Sequence, residues 1–384
     1  MKILIVSPVP LFPTNMGNRV RILKIVEFLK QRGHDIHFLH TEMDPGDSAE
    51  MTDYLGAGKY FRIPFDTDTS VYSMVRKYVR KILDVPNIIH LPYKIDEFCS
   101  KSICDSVSKL CSTNSYDIVM VEYVFLSRVF GYIGNQSEKI LDTHDLFADR
   151  HLKFVNQRIR YKWFFTTESE EAKGFKRADK VIAIQNNEAG KIRQLTGRNN
   201  VFLIGHMVDL EPLENIEKND ILFMSSSNIA NIKALDSFVK NVFSVIRKRV
   251  PDARLIVAGS ICEKINKEDG IELLGEVREV RDAYKKASVV INPMCRGTGL
   301  KIKSIEALGY FKPLVTTETG AEGLDSDNNR NFIVVRDDTE FAEAVIELLT
   351  NGEKRRAYSK NAGQYAEEYN ITIRNELEKL FCSR

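Results

Sequence analysis

The chain lacks any apolar run approaching the roughly 20 residues that cross a bilayer as a helix. Its start, Met1-Lys-Ile-Leu-Ile-Val-Ser7, has neither the length nor the cleavage site of a signal peptide and reads instead as a first buried strand. The six cysteines, Cys99, Cys104, Cys111, Cys262, Cys295 and Cys382, show no CxxC spacing. They fit neither a zinc site nor a disulfide framework and suit a reducing cytosol. No GxGxxG follows the first strand, which disfavours a nicotinamide-dependent dehydrogenase. Charge of neither sign is in excess: 55 Lys and Arg stand against 53 Asp and Glu. A dedicated nucleic-acid binder carries a strong basic surplus, so that class is disfavoured too.

What is present is an ordinary globular composition, 43% hydrophobic and 28% charged, over 384 residues. That length is too great for a single core and predicts two domains. Lys2–Ser7, the amphipathic helix Arg19–Arg32 ended by Gly33, and Asp35–His40 make a strand–helix–strand unit. Short strands at 60–64, 117–122, 139–142, 180–184 and 201–204 extend it into a doubly wound parallel sheet ending near residue 205. A second series runs through strands 220–225, 254–258, 271–274, 289–292, 313–317 and 332–335. Its helices are expected at 234–249, 277–286, 300–308, 338–350 and 352–369. Glu214–Asn219, polar and charged, is the expected hinge. A last helix, 371–381, belongs to neither sheet by its pattern. Two Rossmann-like domains in tandem predict a cleft lined by the carboxyl ends of both sets of strands.

The stretch from Ile291 to Val315 holds the densest chemistry. A buried strand runs into a turn with Gly297 and Gly299, then into a helix from about Leu300. Backbone N–H groups at a helix start make an anion site. Lys301 and Lys303 lie in the first turn, where a cation opposes the helix dipole unless an anion binds there. Glu306, a turn further on, is a carboxylate placed to accept from hydroxyls. The pattern fits a phosphate-plus-polyol site, or a solvated helix start.

The run Gly297-Thr-Gly-Leu-Lys-Ile-Lys-Ser-Ile-Glu-Ala-Leu-Gly-Tyr-Phe-Lys-Pro-Leu-Val315 resembles the donor-binding signature of retaining, family-four-type glycosyltransferases (glycosyl transferases group 1) with the GT-B fold. Ser7-Pro-Val-Pro through Gly17-Asn-Arg19 resembles that family's first glycine loop. Asp142-Thr-His-Asp-Leu-Phe-Ala-Asp-Arg150 is similar to its HD segment. Glu171, Arg177–Ile184 with Asn187-Glu188, and Asp282-Ala-Tyr284 with Ala287–Pro293 follow in the family's order.

The resemblance implies two Rossmann-like domains, an acceptor-binding one at 1–205 and a nucleotide-sugar-binding one at 206–368. It also implies that a C-terminal helix, 369–384, returns to the first domain. It implies metal-independent, retaining transfer of a sugar from a UDP- or GDP-sugar, with no further cofactor, to a glycan, lipid-linked or small-molecule acceptor. The setting it suggests is surface polysaccharide biosynthesis in the cytoplasm or at the inner face of the membrane. By the same resemblance His144, Lys303 and Glu306 take catalytic roles. Gly17, Arg19, Gly259, Gly297, Thr298, Gly299, Leu300, Lys301, Lys303 and Glu306 bind the donor. Asn18, Glu122, Tyr123, Asp145 and Arg150 face the acceptor.

Two departures stand out. The family's paired acids lie eight positions apart, and Thr298 occupies the first of those positions. The loop Ser225–Lys233 also lacks the arginine many relatives carry. These keep two alternatives open: an epimerase of the same architecture, or an inactive glycan- or partner-binding subunit. The epimerase would need converging acids and histidines, and the second domain has no histidine beyond His206.

Two stretches, 72–93 and 151–165, are basic and aromatic. Each is either a membrane-facing surface or a solvated amphipathic helix packing its aromatics inward.

Overall fold

The structure, a computed structural model, describes residues 1–14, 16–84, 91–152, 163–214, 218–297, 299–325, 327 and 329–381. It comprises two compact units, Met1–Gly205 and His206–Arg384. Residues 215–217 of the expected hinge and much of the 151–165 stretch lie outside the described residues.

In the first unit, β1 (Lys2–Ser7), β2 (Asp35–His40), β3 (Tyr60–Arg62), β4 (Ile118–Glu122), β5 (Glu138–Asp142), β6 (Lys180–Ala183) and β7 (Val201–Leu203) form one sheet. Their order is β3-β2-β1-β4-β5-β6-β7, and every pairing is parallel. Helices α1 (Gly17–Gln31), α2 (Ser48–Leu55), α3 (Val71–Asp84), α4 (Lys101–Thr113), α5 (Glu168–Lys176) and α6 (Asn186–Thr196) join the strands. Because both faces of such a sheet are covered, its central strands are continuous apolar runs; Ile3, Leu4, Ile5 and Val6 are all fully buried. Sequence order reverses between β1 and β4, which places a topological switch point at their carboxyl ends.

The second unit carries β8 (Asp220–Met224), β9 (Arg254–Ala258), β10 (Ile271–Gly275), β11 (Val289–Asn292), β12 (Leu314–Thr317) and β13 (Ile333–Val335). They pair in parallel in the order β10-β9-β8-β11-β12-β13, with the switch point between β8 and β11. Its helices are α7 (Ile229–Phe238), α8 (Ser244–Arg249), α9 (Val280–Lys285), α10 (Ile302–Gly309), α11 (Asp338–Thr350) and α12 (Gly352–Phe381). Alternate strand residues serve two cores. Ile221 and Phe223 pack with Phe238, Ile246, Phe341 and Val345 on one face. Leu222, Ile256, Val290 and Leu314 pack with Tyr284, Ile305, Leu308 and Ala362 on the other.

Three expectations need correction. The helix expected from Ala234 begins at Ile229, because the Asn228 side chain caps it by accepting from Asn231 N at 2.9 Å; a π turn, Val239–Phe243, links α7 to α8. The separate helix expected at 371–381 is the continuation of α12, which runs unbroken through Asn370. The third concerns α3, whose aromatics do not pack inward: Tyr72 and Tyr78 are exposed, while Ser73 and Arg80 are buried.

Candidate active site

In the second unit, chemistry gathers at the β8/β11 switch point. The turn after β11 carries Gly297 at φ 141° and Gly299 at φ 72°, left-handed values that favour glycine. Thr298 between them lies outside the described residues. Leu300 is buried. Lys301 is the N-cap of α10, and Lys303 is its second residue.

The two lysines part company. Lys301 Nζ folds back to donate to Gly299 O at 2.6 Å and lies 3.4 Å from Glu322 Oε2, so a carboxylate of the same unit faces it. Lys303 Nζ crosses the switch point to β8, donating to Ser225 Oγ at 2.8 Å and to Asn231 Oδ1 at 3.0 Å. It sits 4.8 Å from the Phe223 ring centroid. Both hydrogen-bond partners are neutral. Burial, and after it the charge of Lys301, pull the Lys303 ammonium down to about 7.

Glu306 accepts from Tyr284 Oη at 3.0 Å, and the Tyr284 ring stacks on Tyr310. Burial pushes the Glu306 carboxyl up to about 7; the Tyr284 bond opposes the rise and the nearby Asp209 adds to it. A half-buried cation without a counter-ion among the described residues and a carboxyl that resists ionisation are the perturbed pair an anionic, hydroxyl-bearing ligand would relieve.

The frame is tight. Asn292, ending β11, donates to Ser304 Oγ at 2.8 Å, and Ser304 donates to Gly320 O at 2.7 Å, pinning the start of α10 to the sheet. Gly259 (φ 96°) ends β9 so close to β8 that a Cβ there would meet Ser225 O at 2.3 Å. Gly259→Ala is therefore expected to cost about 2–4 kcal/mol through overpacking and backbone strain, and to displace Ser225 from Lys303. Paired denaturant unfolding and nucleotide titration check both effects.

The first unit gathers its polar residues at the ends of β1, β4 and β5. Asn18, in the first turn of α1, donates to Tyr123 Oη at 2.9 Å across the β1/β4 switch point. Tyr123 (φ 70°) stacks on His144 (φ 58°) with centroids 4.2 Å apart and planes 8° from parallel. His144 Nε2 lies 2.5 Å from Glu122 Oε2. Glu122 is fully buried; burial first and Asp142 second push its carboxyl up, while the His144 contact opposes this. Arg21 clamps Asp142 with two 2.9 Å bonds and also donates to Gly205 O. Glu171 receives Phe147 N at 2.7 Å and Ala148 N at 2.9 Å, which fixes the loop after His144.

Glu122, Asp142 and His144 bring ligand-type atoms within 4.8 Å of one another, the spacing a cation would use. That position already has its positive charge in Arg21, and His144 is bonded to Glu122, so the donor set reads as an ion-pair cluster.

Other expected residues find partners within their own unit. Gly17 begins α1 and has no positive φ, so a turn requirement does not explain it. Arg19, expected to need an anion, lies 3.3 Å from Asp44 and donates to Pro13 O and Pro45 O. Arg150 and Asp145, both expected to face the acceptor, pair with each other at 2.6 Å.

Reading the residues alone missed Arg21, Ser225, Asn231, Tyr284 and Glu322 as holders of the site. Arg21 had one signal, a charge among the apolar positions of α1. Glu322 had none, being far along the chain from Lys301.

Residues 218–351 match the family described as glycosyl transferases group 1. Over 96% of both chains, the protein is 23% identical to an uncharacterised 44.6 kDa protein in the cps region of Klebsiella pneumoniae. Its structure is similar to crystalline TarM (TM-score 0.70, 10% identity, covering 100% of this chain and 99% of that one). It is also similar to Anabaena HepE in complex with UDP and glucose (TM-score 0.66, 12% identity, 100% of each). No helix among the described residues is long and apolar enough to cross a membrane. Residues 218–351 thus carry the match to the glycosyl transferases group 1, and the chain as a whole has the GT-B fold.

Proposed function

We propose that the protein moves a sugar from a UDP- or GDP-sugar to a glycan, lipid-linked or small-molecule acceptor, with retention at the anomeric carbon and without a metal. We place it in surface polysaccharide biosynthesis, in the cytoplasm or at the inner face of the membrane. The carrying observation is Lys303, a half-buried ammonium held by two neutral groups at a sheet switch point beside a helix start. A sugar–diphosphate bond breaks when the charge on the leaving diphosphate is stabilised. Lys303, Lys301 and the first N–H groups of α10 supply that stabilisation. Glu306 accepts from the vicinal hydroxyls of the ribose. His144 contacts the transferred sugar, with Glu122 orienting its ring. The acceptor proton passes to a leaving-phosphate oxygen as the new glycosidic bond forms, so no separate base is required.

Support comes from the group 1 match of residues 218–351, from HepE solved with UDP and glucose, and from the relative in a cps region.

The charge states give a pH profile. Above about pH 7 free Lys303 loses its proton, while a bound diphosphate holds that proton on. Binding then takes up a proton, and affinity falls as pH rises. Below about pH 7 Glu306 is neutral and accepts poorly from a diol, so affinity falls as pH drops. Affinity for an intact nucleotide sugar is expected to peak near neutrality, with limbs approaching tenfold per pH unit. Lys303→Arg should flatten the alkaline limb and Glu306→Gln the acid one, by calorimetry across pH.

The direct test incubates the protein with UDP- and GDP-sugars in chelator, following nucleoside diphosphate release and the anomeric configuration by NMR. Release with retained configuration is expected. Inversion, or an absolute need for added metal, would count against the proposal.

A further inference from the structure

Helix α3 is inverted. Its inward side is polar: Arg76 Nε and Arg80 Nη2 grip the two oxygens of buried Glu97 at 2.9 and 2.8 Å, and Ser73 Oγ donates to Asp68 at 2.6 Å. Arg80 also lies 3.6 Å from the centroid of Tyr93. Its outward side is apolar: Val71, Tyr72, Met74, Val75, Tyr78 and Ile82 are 53–74% exposed. At about 100° per residue these six fill a continuous sector of roughly 160°. Lys77 and Lys81, both exposed, lie one turn apart along one edge of that sector. No acidic residue occurs from Val71 to Leu83, and Glu97 is matched by two arginines.

The patch continues beyond the helix. Tyr93 stacks on Phe164, and the next residue back, Trp163, is 42% exposed. Tryptophan and tyrosine beside lysine suit the boundary between headgroups and acyl chains, where the ring is half-wet and the ammonium meets lipid phosphate.

We infer that α3 is a docking helix that lies in the interface of an anionic bilayer, with its apolar sector among the acyl chains and Lys77 and Lys81 at the phosphates. Ionic anchoring of the inner side holds the helix with that sector outward. Charge decides between this occupant and a second copy of the chain. A second copy of this face brings no carboxylate to Lys77 and Lys81, since none occurs from Val71 to Leu83, whereas an anionic surface complements them. The docking needs no sugar transfer, so its test stands or falls apart from the proposed reaction.

The experiment is co-sedimentation of the full chain with vesicles of phosphatidylcholine mixed with phosphatidylglycerol, beside vesicles of phosphatidylcholine alone. The expected result is salt-sensitive binding that favours the mixed vesicles. Because both positions are exposed, Val75→Glu/Tyr78→Glu should keep the wild-type melting temperature while lowering vesicle partitioning about tenfold or more. Lys77→Glu/Lys81→Glu should remove the preference for phosphatidylglycerol. Wild-type protein left in the supernatant with both vesicles, or unchanged sedimentation of Val75→Glu/Tyr78→Glu, overturns the inference. So does a lipid-free, concentration-dependent dimer by analytical ultracentrifugation that this same double variant abolishes, which would give the face to a second copy.

Discussion

Lys303→Met is expected to weaken UDP or GDP binding about 10- to 100-fold, since a charge-assisted hydrogen bond to phosphate contributes about 1.5–3 kcal/mol. The effect on turnover should be larger. Charge on the leaving oxygen grows as the glycosidic bond breaks, and losing one such donor costs about 100- to 1000-fold in kcat. The unliganded protein should behave in the opposite sense. Burial already drives the Lys303 ammonium down to about 7, and both of its hydrogen-bond partners are neutral. Replacing it with an apolar side chain of similar length removes that burden, so the melting temperature of the free enzyme should hold or rise. A plain packing role for Lys303 would instead lower stability and leave nucleotide binding intact. Thermal shift with and without nucleotide separates the two outcomes.

Arg21→Leu is expected to be the most damaging single change in the first unit, at about 3–5 kcal/mol, because it strands a buried carboxylate. Asp142 is fully buried, its two 2.9 Å bonds come from Arg21, and the raised carboxyl of Glu122 stands beside it. Removing the guanidinium leaves two acids and one histidine in a dry cluster. The paired variant Arg21→Leu/Asp142→Leu should recover most of the loss, since an apolar pair tolerates burial where a lone charge does not. Urea unfolding of the wild type, both single variants and the double variant measures this coupling. Additive losses would show that the pair is not the source of the stability.

The contrast between these residues also explains what was legible in the chain. Strands such as Lys2–Ser7, Arg254–Ala258 and Val289–Asn292 have the bounds their apolar runs imply, because a parallel sheet buried on both faces demands such runs. The glycine turn after β11 was legible for a related reason: left-handed backbone at Gly297 and Gly299 restricts the residue type.

Asn370 misled in the other direction. Asparagine commonly ends helices, yet here its side chain accepts from Val208 N at 3.1 Å and donates to Val208 O at 2.8 Å, so α12 continues through it. Nothing local in the sequence signals a partner 162 residues away. The same limit applies to Lys301 and Lys303, whose placement in one helical turn suggests one job. Their long stems reach Glu322 and Ser225 in different parts of the unit, and only the fold separates the ion-paired lysine from the one held by neutral groups. Helix α3 was ambiguous for a further reason. Amphipathic periodicity reports that two faces differ; it does not report which one points inward.

The central claim is that the β8/β11 switch point holds a nucleoside diphosphate through Lys303 and Glu306. Calorimetric titration of the wild-type protein with UDP, GDP and dTDP in chelator, repeated with Lys303→Met, tests it most directly. Saturable one-site binding of one nucleotide by the wild type, with at least about tenfold weaker binding by the variant, is the predicted result. Absence of binding by every nucleotide, or equal affinity in the two proteins, would contradict it.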